Sequence, residues 1–240
     1  GIALNNKELS LISIATDIAS IAIEGKRAEE KAIRLAHYDE VTHLPNRFLF
    51  NQYLVKALQY AIKSKSRLAV MFLDLDRFKS INDIFDHKVG DRVLGHISLR
   101  MKEVLSNADT IARVGGDEFM VLLEDFNTTR DITEVADRLL LAVSQSFKIN
   151  DQEMQITASV GIALFPNDGI EAQELMKNAE MAMYRAKQNG RANYQFYAAE
   201  MNVNTLKRLE YEAQIRQALD KQQFVVYYQP KVNVATGKIV

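Results

Sequence analysis

The stretch Leu68 to Leu75, LAVMFLDL, constrains this chain more than any other segment. Its apolar side chains fall on both faces of an extended chain, where a half-exposed strand would alternate with polar residues. A short run of this kind predicts a strand buried on both sides, in the centre of a sheet. Asp74 and Asp76 stand at its end. Residues two apart on a strand point to the same face. Carboxylates there are costly unless they are solvated, paired or bound to a cation. Taken alone, strand-end aspartates open to water and a hard-cation site of the Mg²⁺ type are both admissible readings.

The flanking segments supply the rest of a domain. The sequence breaks over Asp39 to Arg47 with Thr42, Pro45 and Asn46, and Pro45 fits the first turn of the helix that follows. That helix is predicted over Arg47 to Ile62, with a polar loop over Lys63 to Arg67. After the strand a helix is expected near Ile81 to Leu105, with a break around His87 to Asp91. Two short strands, Thr110 to Val114 and Phe119 to Leu123, join through Gly115-Gly116, which supplies positive φ at both positions of a type I′ turn. A helix over Asp131 to Ser146 and an alternating strand over Ile156 to Ala163 come next. Ala172 to Gln188 reads as a helix closed by Gly190, and Tyr194 to Tyr197 as a last strand. The order β-α-β-β-α-β predicts a ferredoxin-like α+β sheet with helices on one face.

The two ends read differently. Residues 1 to 37 form one predicted helix. Leu11, Ile14, Ile18, Ile21, Gly25, Ala28, Ala32 and Leu35 recur at steps of three and four, a heptad seam. An ordinary surface helix and a helix that pairs with its twin both fit, and Gly25 is expected to be a soft joint. Leu206 to Lys221 is a predicted helix and Phe224 to Tyr228 a predicted strand, ended by Gln229-Pro230. A lone strand cannot bury itself. Residues 201–240 are therefore expected to open a second domain, with 38–200 as the central one.

Composition removes several function classes. The formal net charge is −1, so no global basic field attracts nucleic acid. Cysteine is absent, which excludes disulfides and thiolate chemistry, and four scattered histidines do not suggest a His-based metal site. No apolar run reaches the roughly 18 residues of a membrane span. The first residue is Gly and no signal peptide follows it. The expectation is a cytoplasmic piece of a longer protein, with no membrane contact of its own.

Asp117 and Glu118 follow the Gly-Gly pair at once. Turn acids are common on surfaces. If the two strands are neighbours, however, these acids converge on Asp74, as in two-metal phosphoryl-transfer sites. Gly115 and Gly116 would then let a nucleotide lie against the backbone. Arg77-Phe78-Lys79 leaves the strand by a turn into a helix, where backbone amides can hold phosphate. Lys187 and Arg191, four apart, close a helix either as dipole partners or as phosphate ligands.

Together these motifs resemble the GGDEF family, the diguanylate cyclases. Gly115-Gly116-Asp117-Glu118-Phe119 spells its signature. Asp39 to Arg47 (DEVTHLPNR), Phe72 to Leu94 (FLDLDRFKSINDIFDHKVGDRVL), Ala158 to Ala163 (ASVGIA) and Ala179 to Arg191 (AEMAMYRAKQNGR) resemble its other motifs in order. The resemblance covers about residues 37 to 198. It implies that Asp74, Asp117, the Leu75 carbonyl and Glu118 hold two divalent cations, Mg²⁺ or Mn²⁺, per active site. Glu118 would otherwise help activate the ribose 3′-hydroxyl. Asn82 and Asp91 would read guanine, and Phe78, Lys79, Lys187 and Arg191 would hold the triphosphate. The implied reaction joins two GTP into cyclic di-GMP and requires a homodimer, with the amino-terminal seam aligning it. A GTP-binding regulatory module with little turnover is the alternative.

Two positions depart from the family pattern. An Arg-x-x-Asp product site is replaced by Ser106-Asn107-Ala108-Asp109, which predicts weak product inhibition. Asp86 stands where the family usually has Gly. At the ends, Phe224 to Val240 resembles the opening strand of an EAL phosphodiesterase domain whose acidic motif would lie beyond residue 240, so no hydrolase activity is expected. Asp17 to Glu24 resembles, more weakly, the closing helix of a GAF-type sensor.

Overall fold

The computed structural model describes residues 20, 23–28, 31–124, 126–149, 152–201, 214, 217–227, 230–231 and 233–239. Its elements run Arg47–Ser64 (α1), Leu68–Leu75 (β1), Phe78–Ile84 (α2), His87–Val104 (α3), Thr110–Gly115 (β2), Glu118–Leu123 (β3), Thr129–Ser144 (α4), Phe147–Ile149 (β4), Gln152–Met154 (β5), Ala158–Phe165 (β6), Ala172–Gln188 (α5) and Tyr194–Phe196 (β7). The main sheet has the order β2-β3-β1-β6-β7. Strand β1 is its centre, antiparallel to both β3 and β6, and buried along its whole length. The expected β-α-β-β-α-β order is present, with β7 added in parallel at the β6 edge.

Helices cover both faces of this sheet, not one. Ala69, Met71, Leu73 and Leu75 pack with Val93, Ile97 and Met101 of α3 and with Ile132, Ala136 and Leu139 of α4. Leu68, Val70 and Phe72 pack with Phe50, Leu54 and Leu58 of α1 and with Leu175, Ala179 and Met183 of α5. A strand apolar on both faces leaves no other solution. Helix α5 sits especially close, because a Cβ on Gly161 of β6 would fall 2.0 Å from both Ala179 O and Met183 N.

Several boundaries differ from the sequence expectation for physical reasons. Pro45 is not in a helical turn. It bridges to Tyr38, and Asn46 behind it caps α1 by accepting from the Leu49 amide at 3.0 Å. The break between α2 and α3 falls at Phe85-Asp86, earlier than expected, and Asp86 takes φ 130°. The hairpin turn is Gly116-Asp117 rather than Gly115-Gly116: Gly115 pairs with Glu118, and of the three residues only Gly116 has positive φ. The β4–β5 hairpin carries three residues per strand, too few for a periodic signal.

Residues 20, 23–28 and 31–37 are helical, and Gly25 lies within them without a break. The seam positions Leu11, Ile14, Ile18 and Ile21 lie outside the described residues. Residues 199–240 form a separate unit. Of its expected helix, 214 and 217–220 are helical and most of the rest lies outside the described residues. Phe224 to Tyr227 forms no strand, since no ladder partner pairs with it among the described residues; Tyr228 lies outside them. No helix among the described residues is long and apolar enough to cross a membrane.

Candidate active site

The pairing of β1 with β3 sets Asp74 directly across from Glu118. Asp117 precedes Glu118 in the turn, and its carbonyl accepts from the Leu75 amide at 3.2 Å, tying the hairpin to the end of β1. Two acidic segments 43 positions apart in sequence are thereby gathered at one sheet end. Asp74 is 7% exposed. Burial raises its pKa above the ordinary value, with Asp117 and Asp76 adding to the rise and Lys187 opposing it. Burial likewise raises Glu118, reinforced by Asp74, Glu180 and Asp117 and opposed by Arg47.

This end of the sheet therefore crowds negative charge. Its nearest cation is Lys187 of α5, whose Nζ lies 2.7 Å from Asp74 Oδ1. Among the described residues no group of three or more His, Cys, Asp or Glu side chains forms a metal cage. The donor set is instead a few carboxylates at a strand end, which suits Mg²⁺. That ion takes one or two protein carboxylates and completes its shell with water and substrate phosphate. The crowded, raised-pKa carboxylates fit such an ion.

Asp76, the other strand-end acid, has a different fate. It accepts from Thr157 Oγ1 at 2.7 Å, Ser159 Oγ at 2.8 Å and the Ala192 amide at 3.1 Å. It is a latch between β1, β6 and the segment after α5. Arg191 is not on a helical face with Lys187. Helix α5 ends at Gln188, and Gly190, Arg191 and Ala192 all take positive φ, turning the chain back. Arg191 Nε consequently lies 4.0 Å from Asp76 Oδ1.

The expected guanine readers come from adjoining helices. Asn82 lies on α2 and Asp91 on α3, and Asn82 packs against Gly90, the neighbour of Asp91. Phe78 is buried in the core cluster of α3, so only its backbone is left for a ligand. Lys79 is exposed at the start of α2, a helix with no side-chain cap. Gly115 and Gly116 are exposed at the hairpin tip.

Sequence reasoning missed three charged residues here. Arg113 holds the Gly116 carbonyl through Nε and Nη2 at 2.9 and 2.7 Å. After burial and Asp74, Glu180 of α5 adds to the rise in the Glu118 pKa, and Arg47 of α1 opposes it. Arg113 is a single charge on a short strand with no pattern to mark it, whereas Arg47 and Glu180 lie inside two of the quoted motifs without a role assigned to them there. At the other end of β2, Asp109 accepts from Ser106 N at 2.9 Å and Ser106 Oγ at 2.8 Å, closing a local turn.

Known proteins resemble this chain in sequence and in fold. Residues 36–193 match the family described as diguanylate cyclase, GGDEF domain. The bifunctional diguanylate cyclase/cyclic di-GMP phosphodiesterase MucR of Pseudomonas aeruginosa is 43% identical over 89% of this chain and 31% of its own length. The cyclic di-GMP phosphodiesterase NbdA of the same organism is 39% identical over 86% of this chain and 26% of its own. The chain thus spans about a third or less of these relatives. The structure of a TpbB fragment from P. aeruginosa comprising only its GGDEF domain superposes with a TM-score of 0.69 at 36% identity, over 71% of this chain and 99% of that one.

Proposed function

This chain belongs to the GGDEF family of diguanylate cyclase domains, and from that premise we propose that it condenses two GTP into cyclic di-GMP, releasing two pyrophosphates. The observation that carries the reading is the gathering of Asp74, Asp117 and Glu118 at one strand–hairpin junction, with burial pressing on Asp74. In this reading Asp74, Asp117, Glu118 and the Leu75 carbonyl hold Mg²⁺ or Mn²⁺, two per site. Cations held there would supply positive charge against the α-phosphate and would lower the pKa of the 3′-hydroxyl. Glu118, whose pKa burial and acidic neighbours raise, serves either as a further ligand of the cations or, in place of that, to help activate the ribose 3′-hydroxyl.

Asn82 and Asp91 read guanine, whose N1–H and 2-amino donors suit a carboxylate where adenine offers no equivalent pair. Lys79, Lys187, Arg191 and the uncapped amides at the start of α2, with Phe78 among them, take the triphosphate. Lys187 exchanges its contact with Asp74 for phosphate as the nucleotide arrives. Gly115 and Gly116 leave the hairpin tip open to the ribose. One protomer holds one GTP, so two domains face each other for catalysis. Residues 38–200 carry the chemistry and residues 1–37 align the pair. Residues 201–240 lead toward an EAL-type domain, and the setting is the cytoplasm.

A second reading, a GTP-binding module that controls an attached phosphodiesterase, is favoured by the similarity to NbdA. One experiment separates the two. The chain is incubated with GTP and Mg²⁺ over a range of protein concentrations, and products are resolved by chromatography. Cyclic di-GMP formed with a specific activity that rises with protein concentration supports the cyclase. GTP bound without product supports the regulatory module, and no GTP binding rejects both.

A further inference from the structure

We propose that Gly90 is a positioning residue for guanine recognition, and that the missing side chain at this position is what seats the Asn82 carboxamide. The inference rests on the nucleotide reading above. Phe78 and Asn82 lie four residues apart on α2, hence on one face of it. Gly90 of α3 faces both. A Cβ on Gly90 would fall 2.0 Å from Asn82 Oδ1, 3.1 Å from Asn82 Cγ and 3.1 Å from Phe78 Cζ. The carboxamide oxygen therefore occupies volume that any other residue type at position 90 would fill.

Among the described residues no hydrogen-bond donor holds that oxygen. Asn82 Oδ1 is buried and has no hydrogen-bond partner. A buried acceptor in this state is expensive and turns to water when it is free to do so. Here shape keeps the oxygen in place against Gly90, which directly precedes Asp91 in α3. The backbone makes no separate demand for glycine, because Gly90 is helical and absent from the positive-φ glycines. Alanine is the better helix former. Of the two groups in its way, the Phe78 ring is fixed in the core, at 5% exposure, whereas the Asn82 carboxamide is the free end of a side chain. A methyl group at position 90 thus displaces Asn82, while the Phe78 ring has to give by only a few tenths of an ångström.

The test measures binding of the α,β-methylene analogues of GTP and ATP, which cannot be turned over, by calorimetry with Mg²⁺. Gly90→Ala should cut the preference for the GTP analogue roughly tenfold, the scale of one lost hydrogen-bonding group, with an unchanged or higher melting temperature. Asn82→Ala should do the same, and the double variant should lose no more than either single one. Preserved discrimination in Gly90→Ala, or losses that multiply in the double variant, overturn the positioning role. A parent chain that binds both analogues equally overturns the guanine reading itself, and the positioning role with it.

Discussion

Arg113 donates from Nη1 to both carboxylate oxygens of Asp39, at 3.0 and 2.9 Å. The same guanidinium holds the Gly116 carbonyl. One side chain thus joins the turn after residues 31–37 to the tip of the hairpin that carries Asp117 and Glu118. Burial alone would raise the Asp39 pKa, but hydrogen bonds from the Thr42 hydroxyl and amide and from Arg113 outweigh it and hold it below the ordinary value. The pair ties the turn after residues 31–37 to the hairpin that carries Asp117 and Glu118.

Replacing Arg113 tests that link. Arg113→Lys keeps the charge but loses the planar fork that serves Asp39 and Gly116 together. Cyclic di-GMP synthesis should fall by roughly tenfold, equivalent to about 1.4 kcal/mol of lost positioning. Arg113→Ala, which strands the half-buried Asp39, should also melt lower, by about 1–3 kcal/mol of stability. Full activity in Arg113→Lys would show that the hairpin orients itself.

The carboxylate cluster predicts a pH-dependent response to cations. Folding raises the pKa of Asp74 from 3.8 and of Glu118 from 4.5. Their stabilising contribution is therefore complete below those ordinary values and is lost as pH rises through the raised folded ones. At neutral pH a cation bound there would replace the lost protons. Mg²⁺ should raise the melting temperature at about pH 7 and much less near pH 4. Asp74→Asn should abolish turnover and the Mg²⁺ increment alike, while melting no lower than the parent without Mg²⁺ at about pH 7. An equal Mg²⁺ increment in parent and variant would move the cation site elsewhere.

Product inhibition should be weak. Ser106 spends its hydroxyl and amide on Asp109 and offers no charge to a phosphate or a base edge. Added cyclic di-GMP should inhibit only by competing at the active site. Ser106→Arg should introduce non-competitive inhibition, readable in progress curves, and Asp109→Ala should remove it again. Non-competitive inhibition of the parent chain would show that the site works without an arginine.

Asp86 occupies a backbone conformation that suits glycine, φ 130°, yet its carboxylate caps α3 by accepting from the Val89 amide at 2.9 Å. Strain of about 1–3 kcal/mol opposes the few tenths of a kcal/mol that separate a polar cap from glycine. Asp86→Gly should therefore raise the melting temperature without loss of turnover. A lower melting temperature would mean that the cap outweighs the strain.

The sequence was most legible where one physical pattern acts alone. The two-faced run at Leu68 to Leu75 required a central strand, and helical spacing placed Ala172–Gln188 to the residue. Family motifs then marked Asp74, Asp117 and Glu118 as one site. Short or competing signals misled. The β4–β5 hairpin is too brief for periodicity, and the Gly-Gly pair suggested a symmetric turn that a register shift between Arg113 and Gly115 displaces by one residue.

What the sequence determined by itself is the set of local preferences: which segments are extended or helical, where acids end a strand, where glycine permits a turn. Those depend on neighbours within a few residues and survive in any context. The tertiary structure alone decided which of two equivalent-looking acids faces the site. Asp74 meets Glu118 and Lys187, while Asp76 is taken up by Thr157, Ser159 and Ala192. It alone joined Arg113 to Asp39 across 74 positions and pressed Asn82 against Gly90. Such partners are chosen by packing and by the need to satisfy buried polar groups, which are properties of the assembled sheet and helices rather than of any stretch of chain.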